Sequence, residues 1–120
     1  MYRIAIEKLL KWKQSKRRKP LTIEGARQVG KTWLMKEFGQ KEYTDTIYIN
    51  FDSNSRMAQL FASDLNIDRL IMGLELYAGR KIDPDHSLLI FDEVQEVPRA
   101  LATLKYFYEN APQYHIVCAS

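Results

Sequence analysis

Apolar positions recur along the chain in helical and strand rhythms that alternate. From Tyr2 to about Gln14, Ile6, Leu9, Leu10 and Trp12 share one helical face, with Lys8, Lys11 and Lys13 mainly on the others. The stretch Ser15-Lys16-Arg17-Arg18-Lys19-Pro20 breaks this helix, and Pro20 favours an extended Lys19 at the entry to a first strand over residues 21–24. Residues 33–38 read as a helix, with Gly39 as its C-terminal stop. Residues 46–51 are β-branched and aromatic, which predicts a second strand. Asp52-Ser53-Asn54-Ser55 supplies turn and N-cap chemistry before a short helix with Met57, Leu60 and Phe61 on one side. Asp64 or Asn66 caps the next helix, Ile67, Leu70, Ile71 and Leu74 form its stripe, and Gly79 ends it. After a turn at Asp83-Pro84-Asp85, the run Ser87-Leu88-Leu89-Ile90-Phe91 predicts a strand buried on both faces, as in a parallel sheet. Pro98 suits the first turn of a last helix with Leu101, Leu104, Phe107 and Tyr108 on its apolar side, closed by Asn110-Ala111-Pro112. A final strand covers residues 115–119.

This order predicts an α/β fold: four parallel strands beginning near Leu21, Thr46, Ser87 and Tyr114, with helices on both faces of the sheet. At 120 residues and 46% hydrophobic, the chain is one domain able to bury a core. No apolar run approaches the roughly 20 residues that span a bilayer, so no membrane role is expected. Charges stand where the apolar core of a signal peptide would be, and the single Cys118 lies in an apolar run; both point to the cytoplasm.

The net charge of +3 conceals an asymmetry. Residues 1–20 hold eight Lys/Arg and one Glu, whereas residues 21–120 hold ten Lys/Arg and fourteen Asp/Glu. The chain therefore divides into a basic helix and connector (1–20) and an α/β body (21–120). Residues 8–19 offer a weak nucleic-acid contact, but no aromatic or polar base readers are interleaved there, which favours a solvated face.

The chemistry concentrates at Gly25-Ala26-Arg27-Gln28-Val29-Gly30-Lys31-Thr32, which fits G-x-x-x-x-G-K-[ST]. Gly25 and Gly30 allow a tight turn and close ligand approach. Backbone N–H groups from about Arg27 onward, at the positive end of the helix that follows, suit a phosphate. Lys31 would reach the outer phosphates and the Thr32 hydroxyl would bind Mg²⁺. The strand before and the helix after supply the required context.

Some sixty residues later, Asp92-Glu93 ends an apolar strand at its C-terminal end, where open α/β sheets bind ligands. Asp92 would hold Mg²⁺ opposite Thr32, directly or through water, and Glu93 would orient or deprotonate an attacking water. Gln95 lies close enough to contact water or phosphate, while Glu96 reads as a surface turn. Arg27 is placed either to neutralise phosphate or to face solvent. His86 and His115 have no metal-ligand spacing and read as structural. Tyr48, Phe51 and the two Trp residues read as packing. No Asn-Lys-x-Asp guanine reader occurs, and adjacent acids suit water attack better than transfer to a second substrate.

The phosphate-loop stretch, Tyr48-Ile49-Asn50-Phe51-Asp52, and Leu89-Ile90-Phe91-Asp92-Glu93-Val94-Gln95-Glu96-Val97-Pro98 together resemble a group of prokaryotic AAA-type ATPases that carry a further C-terminal domain of unknown function. Leu104-Lys105-Tyr106-Phe107-Tyr108-Glu109 and His115-Ile116-Val117 fit as well, so the resemblance covers nearly the whole chain. It implies Gly30, Lys31 and Thr32 as ATP–Mg²⁺ contacts, Asp92 as the metal acid and Glu93 as the hydrolytic acid. It also implies strand order 1-4-3-2, with strand 1 at an edge, and leaves room for oligomerisation in a full-length relative. In the family the last strand leads into a polar sensor, a fifth strand and arginine-finger elements. Ser120 does not match that sensor, so the resemblance implies a fragment or truncated copy that binds nucleotide but hydrolyses it weakly. The contrasting expectation is a non-catalytic nucleic-acid-binding or protein-interaction module built on the basic N-terminal segment.

Overall fold

The computed structural model of the protein describes residues 2–15, 18–23 and 30–120. Helix α1 (Tyr2–Gln14) precedes strand β1 (Leu21–Ile23). Then come α2 (Lys31–Glu42), β2 (Asp45–Asn50), α3 (Ser55–Leu60), α4 (Ile67–Ala78), β3 (Ser87–Asp92), α5 (Pro98–Asn110) and β4 (His115–Ala119). The four strands form one parallel sheet in the order β1-β4-β3-β2, the order the resemblance implies. Among the described residues β1 pairs only with β4 and is an edge strand. None of the described helices is long and apolar enough to cross a membrane.

Strand alternation sorts side chains onto two faces. Ile47, Ile49, Leu89, Phe91, Ile116 and Cys118 face a core shared with α3, α4 and α5. Leu88, Ile90, Val117 and Ala119 face a second core under α1 and α2, closed by Leu9, Trp12, Met35 and Phe38. Every residue of β3 and β4 is buried, as expected of central strands covered on both sides.

Several caps and stops are those the sequence implies. Asn54 and Asn66 accept backbone N–H groups of Met57 and Arg69 at the starts of α3 and α4. Gly79 ends α4 in the left-handed region at φ 74°, and Pro98 opens α5. Cys118 is a buried core residue.

Three expectations are corrected. Gly39 does not stop α2, which runs on to Glu42. It lies where helix meets sheet, and a Cβ there would come within 2.4 Å of Thr46 Oγ1; glycine is needed for close approach, not termination. Leu101 is exposed, and the core face of α5 is Ala100, Thr103, Leu104 and Phe107. Small side chains at Ala100 and Thr103 sit on that face, so the stripe is rotated from the one that large residues alone suggest. Trp33 is 57% exposed and lies outside the core, because Lys31, Met35, Phe38 and Gly39 define the buried side of α2.

The candidate functional site at the C-terminal edge of the sheet

The strand register assembles the site. Ile23 pairs with Ala119, Ala119 with Asp92, and Asp92 with Asn50, so four strands end in one row. The phosphate-loop sequence begins beyond Ile23, at the end of that row. Gly25, Ala26, Arg27, Gln28 and Val29 lie outside the described residues. Gly30, Lys31 and Thr32 are described. Gly30 is left-handed at φ 75° and caps α2, with its carbonyl accepting from Leu34 N at 2.9 Å.

Lys31, the first residue of α2, is 7% exposed. A cation here opposes the helix dipole, so the position is locally unfavourable and points to an anion's neighbourhood. Its ammonium donates to the Ser120 carbonyl beyond β4 at 2.5 Å. The Thr32 hydroxyl donates to Asp92 Oδ2 at 2.5 Å, closing the gap between α2 and β3. Lys31, Thr32, Tyr48, Asn50, Asp52, Asp92 and Glu93 line a cleft of about 280 Å³. Three other grooves, of about 360–400 Å³, are larger, but each has at most one acid in its lining, against Asp52, Asp92 and Glu93 here.

Glu93 leaves the strand in the left-handed region at φ 55°, where residues with a Cβ are strained. A short 3-10 turn, Val94–Glu96, follows. Gln95 Nε2 lies 3.3 Å from Glu93 Oε1 and 3.4 Å from Glu96 Oε2, while Gln95 Oε1 is buried and meets no donor among the described residues. Arg99 Nε donates to the Phe61 carbonyl at 2.8 Å.

Tyr48 was expected only to pack. Its hydroxyl also donates to Asp92 Oδ2 at 2.6 Å. Burial raises the phenol's pKa, and the bond to Asp92 raises it further, so Tyr48 remains a donor at neutral pH. The alternation of β2 held the clue: Tyr48 and Asn50 share a face, and Asn50 pairs with Asp92.

The remaining candidates lie away from the cleft. His115 starts β4 and meets the Tyr43 hydroxyl through Nδ1 at 2.5 Å; His86 pairs with Asp83 in an exposed turn. No group of three or more His, Cys, Asp or Glu poised to hold a metal occurs among the described residues. Lys13 donates to the Glu42 carbonyl, Arg18 to those of Lys13 and Pro112, and Lys19 lies over the Tyr108 ring. These basic residues thus have partners within the domain.

A parallel β1-β4-β3-β2 sheet flanked by helices, with Gly30-Lys31-Thr32 opening a helix at its C-terminal edge, has the architecture of a P-loop NTPase. The chain belongs to the AAA domain family, whose profile matches residues 17–120, and is thereby an AAA-type nucleotide-binding domain. No curated protein and no solved structure matches it.

Proposed function

We propose that the chain binds ATP with Mg²⁺ in the cleft at the C-terminal edge of the sheet. Lys31 and the backbone of residues 25–32 would hold the phosphates. Thr32 and Asp92 would hold the cation, and Glu93 would orient the attacking water. The observation that carries this reading is the contact between Thr32 Oγ1 and Asp92 Oδ2. A hydroxyl and a carboxylate converging beside an ammonium form an all-oxygen donor set suited to a hard cation. When bound, Mg²⁺ would neutralise phosphate charge there.

Titration with labelled ATP and with duplex DNA tests the proposal. ATP binding that is abolished by Lys31→Ala, with DNA binding that is weak and salt-sensitive, is the expected result. Tight DNA binding indifferent to Lys31→Ala would instead favour an interaction module built on residues 8–19.

A further inference from the structure

We infer that Tyr48 is a positioning residue for Asp92, and that the Mg²⁺-dependent part of nucleotide binding rests on this side chain, which lies outside both acid and phosphate-loop motifs. The inference rests on the ATP–Mg²⁺ reading of the cleft.

An aspartate carboxylate turns about two side-chain torsions, and one donor does not fix it. Asp92 Oδ2 accepts from two hydroxyls, Thr32 at 2.5 Å and Tyr48 at 2.6 Å. They come from different elements, α2 and β2, so together they set the orientation of the carboxylate. The placement of Tyr48 follows from register: it pairs with Ile90, two residues before Asp92 on the same strand face, and reaches along the sheet toward the cleft that it lines.

The ring is itself braced. Lys36 lies one turn after Thr32 on α2, and its ammonium stands 4.0 Å from the centroid of the Tyr48 ring. A cation over the ring face holds the phenol in place and withdraws electron density from its hydroxyl, making it a better donor. Thr32 and Lys36 thus address the same carboxylate, one directly and one through Tyr48.

The test compares the affinity of a fluorescent ATP analogue in Mg²⁺ with that in EDTA, for wild type and Tyr48→Phe. Loss of a partner that orients a metal-binding side chain typically lowers metal affinity 10–100-fold. Tyr48→Phe keeps the ring, so the affinity gain from Mg²⁺ should shrink about tenfold, with affinity in EDTA unchanged and Tm lowered only by the loss of one hydrogen bond to the buried carboxylate. Lys36→Met should reduce the same gain by a smaller factor. An unchanged Mg²⁺ gain in Tyr48→Phe would overturn the inference while leaving the site reading intact. Equal losses in Mg²⁺ and EDTA, or a fall in Tm alone, would mark Tyr48 as structural and also overturn it. Failure of the wild type to bind the analogue at all would remove the site reading and the inference with it.

Discussion

Thr32 and Asp92, sixty residues apart in sequence, meet through a 2.5 Å hydrogen bond that joins the first turn of α2 to the last residue of β3. The bond links the two segments in which the candidate chemistry resides. Because Asp92 is buried, its carboxylate depends on such donors for solvation.

Thr32→Val isolates this bond. Valine keeps the shape and a similar helix propensity but lacks the donor. Loss of a hydrogen bond to a charged group should lower stability by about 1.5–3 kcal/mol, measured by urea unfolding without nucleotide. The Mg²⁺ gain in nucleotide affinity should fall as well. A variant as stable as wild type with its Mg²⁺ gain intact would show that the bond does not matter in solution.

Gly39→Ala should destabilise the protein, against the usual gain of about 1 kcal/mol for alanine within a helix. The added Cβ would meet Thr46 Oγ1 at 2.4 Å and Leu88 Cδ2 at 3.2 Å. Thr46 is β-branched and stiff, so the helix must move off the sheet, and overpacking of this kind costs about 1–3 kcal/mol. Adding Thr46→Ala should restore most of the loss. Thermal melts of the single and double variants decide it, and a Gly39→Ala protein more stable than wild type would contradict the packing described.

Much of this architecture is legible in residue patterns. The uninterrupted apolar run of β3 marks a central parallel strand, and the caps Asn54, Asn66 and Gly79 are local signals that tertiary structure did not override. Of the residues assigned to the site, Thr32 and Asp92 come together, with Lys31 and Glu93 lining the same cleft. What pattern reading missed depends on neighbours distant in sequence. Gly39 looks like a helix stop until β2 is laid against it. Leu101 looks like core until Ala100, Thr103, Leu104 and Phe107 are seen to form the buried face of α5. Tyr48 looks like packing until the β2–β3 register sets its hydroxyl beside Asp92.

His115 makes stability pH-dependent. Burial, with Arg18 and Lys13 nearby, lowers its pKa from 6.5 to about 4. The neutral ring nitrogen can accept the Tyr43 hydroxyl. Between those pH values the unfolded chain takes up a proton that the native protein refuses, so native stability falls as pH drops from about 6.5 to 4. The loss should reach about 2 kcal/mol near pH 4.5. His115→Gln should lose less stability than wild type over the same window, since the carboxylates common to both proteins cancel in the comparison. Parallel pH dependences in urea unfolding would refute the assignment.

Glu93 brings conformation and chemistry into conflict. Its φ of 55° suits glycine, and a side chain there costs about 1–2 kcal/mol. Glu93→Gly should therefore raise stability by about 1 kcal/mol, whereas Glu93→Gln, which keeps a Cβ, should not. Strain retained at an acid beside the cleft fits selection for function over stability. Turnover by the 120-residue chain alone should still be slow. An arginine that stabilises transition-state charge is worth about 10³–10⁵ in rate. Among the described residues no arginine lines the cleft, and Arg99, the nearest in sequence to the acids, is bonded to the Phe61 carbonyl. Steady-state phosphate release should thus stand barely above background and change little in Glu93→Gln. A robust rate that Glu93→Gln abolishes would show that this polypeptide is catalytically sufficient, with the strained acid already serving hydrolysis.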